Sequence, residues 1–226
     1  MPFLGKQPSR GLVGSADIDD NAVTLAKMAH QADGSIITYG TDTAPTLLAP
    51  DTSGEVLTTK GAGALPAFDP AAGWTLAAEA AANSGTSVTF GSIPSGTKMI
   101  IVMLEAISFT SGVDMDLTIG DAGGLETASY VSTASRVSTT SLTVANSTSE
   151  FIIDSAGGGS DTVSGHITLT LKDSSNFTWI CSHLLKSATA TTHWGAGDKS
   201  LSAELTQLSL SGGTFDGSGS INIMYM

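Results

Sequence analysis

From Trp74 to the end of the chain, apolar residues recur at every second position, the spacing of a strand with one dry and one wet face. "TSVTF" places Val88 and Phe90 on one side. "TKMIIVMLEAISF" is apolar almost throughout, as a strand covered on both faces would be. "DMDLTIG" sets Leu117 and Ile119 opposite Thr118, and "HITLTLKD" sends Ile167, Leu169 and Leu171 one way and its threonines the other. "NFTWICSHL" aligns Phe177, Trp179, Cys181 and His183, and "SINIMYM" aligns Ile221, Ile223 and Tyr225. In "LSAELTQLSLS" the phase shifts between Leu205 and Leu208, which predicts one strand with a bulge near Thr206 or Gln207. Glycine-, serine- and aspartate-rich turns, among them "GDAGG", "KDSSN" and "GAGD", separate these runs. About eight or nine strands in this stretch predict an all-β antiparallel sandwich, jelly-roll-like in plan.

Residues 1–73 follow another rule. They hold six of the seven prolines and only one helical candidate, residues 17–29, with Val23, Leu25 and Met28 on a short apolar face. About three turns are not stable alone in water. The expected organisation is therefore an extended arm with one short helix over residues 1–73, followed by the β-domain over 74–226.

Composition narrows the function. Only 13% of residues are charged, while Ser and Thr number 59, which suits strands and turns better than amphipathic helices. The net charge of −12 disfavours nucleic acid, since no basic patch offsets it. Residues 1–10 lack the apolar core of a signal peptide and no run reaches membrane-spanning length. The expectation is a chain made in the cytoplasm that inserts in no membrane.

No catalytic pattern stands out. "GSIPSGTK" has phosphate-loop glycine spacing, but Thr97 and Lys98 are in the wrong order and the stretch lies between strands. Lys60 in "KGAG" has no helix after it to direct at a phosphate. There is no G-x-S-x-G elbow, and Cys181 sits in an apolar alternation where a thiol behaves as a small hydrophobe. His166, His183 and His193 show no metal-ligand spacing. Asp114, Asp116, Asp121 and Glu126 could offer oxygens to calcium, although they match no established loop, and the alternative is acids flanking solvated turns. The sequence therefore calls for no enzyme, no cofactor and no metal.

Three stretches carry a resemblance: "MPFLGKQP", "SADIDDNAVTLAKMA" and "TDTAPTLLAPDTSGEVLTTKGAGALPAFDPAAGW". Together they resemble the N-terminal part of tailed-bacteriophage fibre proteins, and the β-domain is similar to those that follow such seams. The resemblance implies a virion protein: a homotrimeric tail fibre exposed on the particle, with a head (capsid) fibre or decoration protein as the alternative. It also implies that Pro2, Phe3 and Leu4 dock on a larger virion protein. Val23, Leu25, Met28, Val56, Leu57 and Phe68 would meet their counterparts in the trimer. At the far end, a loop carrying His193, Trp194 and Asp198 would touch a host cell-surface glycan or protein, the Trp acting as an aromatic platform; the alternative is that Trp194 closes the end of the sandwich.

Overall fold

The computed structural model describes residues 33–39, 45–71, 73–154 and 161–226. The chain divides into two compact units, Met1–Ala71 and Ala72–Met226. The described residues contain no helix, and every strand pairing among them is antiparallel. The helical candidate at 17–29, with Val23, Leu25 and Met28, lies outside the described residues, as do Pro2, Phe3 and Leu4.

The first unit contains two hairpins. β1 (Ile36–Tyr39) pairs with β2 (Pro45–Leu48), and β3 (Glu55–Thr58) with β4 (Ala67–Pro70). Gly61 and Gly63 stand at φ +96° and +79°, so the turn between β3 and β4 uses backbone that L side chains rarely adopt. Lys60, the lysine of "KGAG", closes this hairpin: its Nζ lies 2.6 Å from Asp69 Oδ1, and Thr58 donates to the same carboxylate. The hydrogen bonds from Lys60 and Thr58 hold Asp69 below the usual carboxylate range.

The second unit has fourteen strands among its described residues. They are β5 (Thr75–Leu76), β6 (Ala80–Ala82), β7 (Ser87–Phe90), β8 (Met99–Ile107), β9 (Met115–Asp121), β10 (Gly124–Leu125) and β11 (Val131–Val137). Then come β12 (Leu142–Ser147), β13 (Phe151–Asp154), β14 (Val163–Asp173), β15 (Thr178–Ser187), β16 (Thr192–Ser200), β17 (Gln207–Ser211) and β18 (Gly219–Tyr225). A nine-stranded sheet runs β12-β11-β16-β15-β14-β8-β18-β5, with β6 also on β18; a five-stranded sheet runs β10-β9-β17-β7, with β13 also on β9.

One core draws on both sheets. The alternating residues of β8, β14, β15 and β18 (Val102, Ile167, Trp179, Ile223 and their neighbours two positions away) supply one side. Leu117 and Ile119 of β9, Phe151 and Ile153 of β13, and Leu208 and Leu210 of β17 supply the other. At about 25 cal/mol per Å2 of apolar surface, this burial is the main force holding the sheets.

Two local expectations are corrected. Residues 201–206 form no strand, so Leu201 and Leu205 are buried from a loop rather than from a bulged strand. The loop is pinned at both ends, by Leu201 N donating to Phe177 O (3.2 Å) and Thr206 N to Gly120 O (3.0 Å). "GAGD" is not a turn but the middle of β16. Its glycines are there for closeness: a Cβ on Gly195 would lie 2.4 Å from both His183 Cε1 and Thr133 O, and one on Gly197 would lie 2.5 Å from Val131 O.

Candidate binding surface

A concave feature of the second unit is built on the "KDSSN" turn between β14 and β15. Asp173 organises that turn: Oδ1 accepts from Ser175 N (2.8 Å) and Asn176 N (3.3 Å), and Oδ2 accepts from Asn176 Nδ2 (2.8 Å). An aspartate that bonds its own following backbone stabilises a turn. The Asn176 side chain, then the Ser175 amide, hold Asp173 below the usual carboxylate range. Phe177 ends the turn at φ +48°, uncommon for an aromatic, and its ring packs against the core.

Beside the turn lies a groove of about 660 Å3. Lys172, Asn176 and Thr178 line one part, and Asp198, Ser200 and Ser202 of β16 and the following loop line another. Thr178 Oγ1 and Ser200 Oγ are 2.8 Å apart across the pair. The groove offers hydroxyls, an amide, a cation and a carboxylate to solvent. That set can hydrogen-bond a polyhydroxylated ligand, and it presents no nucleophile poised by a base.

The three residues expected to touch a receptor are split by the pleat. His193, Trp194 and Asp198 all belong to β16, so none is on a loop. Trp194 and Asp198 are exposed on the same face of the sheet, and Asp198 is at the groove. His193 points the other way and is 1% exposed, so its side chain offers a ligand no surface. It is engaged inside, with Nδ1 2.7 Å from Asp154 Oδ1. His183, on the neighbouring strand, is also buried; desolvation, then the nearby His193, push its pKa down to about 4.

The other sequence candidates take structural places. Cys181 is in the core, where burial pushes its thiol pKa up, away from thiolate chemistry. Asp121 receives Gly123 N (2.7 Å) and Ser202 Oγ (2.6 Å), and Glu126 receives Lys199 Nζ (2.5 Å) and Ser202 N (2.7 Å). Burial opposes ionisation of Glu126, yet the Lys199 ammonium and Ser202 hold it below its usual range. Asp114 and Asp116 stand at the opposite end of β9 from Asp121, about 20 Å of strand away, so the four acids do not converge on one ion. Val56 and Leu57 are half-exposed on β3, and Phe68, half-buried, pairs with Leu57 across the hairpin.

The groove residues Lys172, Thr178 and Ser200 were not singled out from the sequence. Their signal was "KDSSN" itself, a turn whose Asp and Asn could organise a surface loop. Comparison with protein-family models, with curated proteins and with solved structures gave no match for the chain.

Proposed function

We propose that this chain is a structural virion protein of a tailed bacteriophage, a trimeric tail fibre attached through its N-terminus. In this reading its second unit is a jelly-roll-like β-sandwich that meets the host surface, and its work is adhesion rather than catalysis. The observation that carries the reading is the arm's seam. β3 and β4 form a two-stranded sheet that leaves Val56 and Leu57 half-exposed. An isolated two-stranded hairpin is at best marginally stable in water, and three copies around one axis would cover those side chains. Phage-fibre-like strings occupy this same stretch of sequence. Phe3 and Leu4 would be buried in a larger virion component.

Host contact is assigned to the polar groove at Asn176, Thr178 and Asp198, where a neutral sugar suits the hydroxyl-rich lining and the acidic chain. Antibody labelling of intact particles tests the reading: label on the tail tip supports it, and label on the capsid replaces it with a head fibre or decoration protein. Mass photometry showing a stable monomer overturns the trimer, and an Asn176→Ala/Asp198→Ala protein that adsorbs to cells as well as wild type overturns the groove.

A further inference from the structure

The outer face of the nine-stranded sheet has the character of a covered surface. The cross-strand register places Met103, His166, Leu184, Trp194, Ser135 and Val144 in one continuous row over β8, β14, β15, β16, β11 and β12. A flanking row adds Leu142, 65% exposed, while Val131, also 65% exposed, stands two rows off beside Asp198; Val144 is 60% exposed, Leu184 52% and Trp194 44%. Leu184 with Trp194, and Val144 with Leu142, stand side by side with Ser135 between the pairs, and apolar side chains grouped in this way mark a contact surface, whereas single exposed apolar residues need no explanation.

The alternation on β11 and β12 makes the same point from sequence. On β11 the core side receives Ser132 and Ala134, while Val131 faces away. Leu142 and Val144 of β12 likewise share the outward side. The more apolar face of this hairpin is thus the one that its own core does not use.

We propose that this face is an interface with a second copy of the same chain. Charge favours that occupant. The chain has 21 acidic and 9 basic residues, so most approaches between copies are repulsive. Among the outward positions of β14, β15, β16, β11 and β12 the acids are Asp173 and Asp198, both at the groove end with Lys172 beside them, and beyond that end the one charge is Lys186. Like copies therefore meet least repulsion here. Size agrees: leaving out the groove end, five strands at about 4.8 Å spacing and about six residues in length give a patch of roughly 500 Å2 on each copy. Specific interfaces start at about 1,000 Å2 in total, about 500 Å2 on each side. β12 is also the end of the sheet, and its sequence "LTVANS" has neither the proline nor the charge that guards an exposed edge. This contact is separate from those proposed for the arm, and it stands whether or not the chain belongs to a virion.

The test uses the full chain with Trp74→Phe, so that quenchable tryptophan fluorescence belongs to Trp194, because Trp179 is buried. Ala196 is exposed between Thr133 and Ser182 in the adjoining row, so Ala196→Arg obstructs the face without touching the core. Leu184→Asp is the second variant, and circular dichroism matching the parent checks that both fold. In the parent, Trp194 is expected to be shielded from acrylamide in a species that sedimentation shows to be oligomeric. Ala196→Arg and Leu184→Asp should each raise its accessibility severalfold. Free access of acrylamide to Trp194 in the parent overturns the proposal. So does shielding that persists in both variants, or shielding in a species that sediments as a monomer.

Discussion

Two titrating groups, His183 and Asp116, have opposed effects on stability, and single substitutions separate them. His183 is buried to 6% exposure, and its pKa falls to about 4 through desolvation and the neighbouring His193, against the opposing pull of Asp154. An unfolded histidine titrates near 6.5. Between about pH 6.5 and 4 the unfolded chain binds more protons than the folded one, so this group lowers stability as pH falls. At about 1.4 kcal/mol per pKa unit the limit is about 3 kcal/mol. Asp116 acts in the other direction. Burial first, then the carboxylates of Glu150 and Asp114, raise its pKa to about 7. Between about pH 7 and 4 the folded chain binds the extra proton, so stability from this group rises as pH falls. Asp116 is only partly buried, and solvent screening reduces its limit to about 1–2 kcal/mol. The other carboxylates whose shifts are resolved are lowered, so their contribution is lost mainly below about pH 4.5 and leaves this window clear. Urea denaturation at fixed protein concentration, between about pH 7.5 and 4.5, measures both. His183→Gln should gain on wild type by about 2–3 kcal/mol across this range as pH falls. Asp116→Asn should be more stable than wild type at the alkaline end and lose that advantage towards the acid end. Parallel pH profiles for His183→Gln and wild type would refute the burial argument for His183, and parallel profiles for Asp116→Asn would refute it for Asp116.

Two more outcomes rest on packing. Gly197→Ala would place a Cβ 2.5 Å from Val131 O and 2.9 Å from Phe151 Cδ1, both in well-packed surroundings, and should cost about 2–4 kcal/mol, read as a drop in Tm. Tyr130→Phe removes the hydroxyl that accepts Ile119 N at 2.9 Å and meets Glu126 O at 2.9 Å; leaving that buried amide unpaired should cost about 1–3 kcal/mol in urea denaturation.

Much of the β-domain was legible because its inner strands obey a simple contrast. β8, β14, β15 and β18 bury residues at every second position, and the apolar letters fall on those positions. β16 escaped because its inward positions are His193, Gly195, Gly197 and Lys199, which read as a polar turn. The glycines hide the strand for a physical reason: the space beside them is already filled by His183, Phe151 and neighbouring carbonyls. Lys199 is readable as core only once Glu126 at 2.5 Å and the Tyr130 ring at 5.4 Å are beside its ammonium. The groove was out of reach for a different reason. Asp198 and Asn176 are distant in sequence, and only the β15–β16 register brings Thr178 against Ser200 to form its wall.

Period two separates a strand's faces without saying which one is dry, and β11 with β12 makes that ambiguity concrete. In "VSTASRV" and "LTVANS" the larger apolar residues share one face, which a rule of apolar-inside assigns to the core. The fold reverses the assignment, with Ser132 and Ala134 inside and Val131, Leu142 and Val144 outside. The reversal has a local cause. Phe151 of β13 packs within this layer and its ring fills the volume over Gly197 and next to Tyr130, so the β11 positions beneath must be small. Ser132 adds a hydrogen bond from Ile152 N at 3.0 Å, which valine could not accept. Small residues are therefore required on the inner face by packing. Among the described residues no packing demand calls for valine and leucine on the outer one, where hydroxyls would serve as Ser164, Thr168 and Thr170 do on β14. The unexplained preference is for apolar side chains on an uncrowded face whose acids, Asp173 and Asp198, are confined to the groove end, and the association proposed between copies of the chain would account for both properties together.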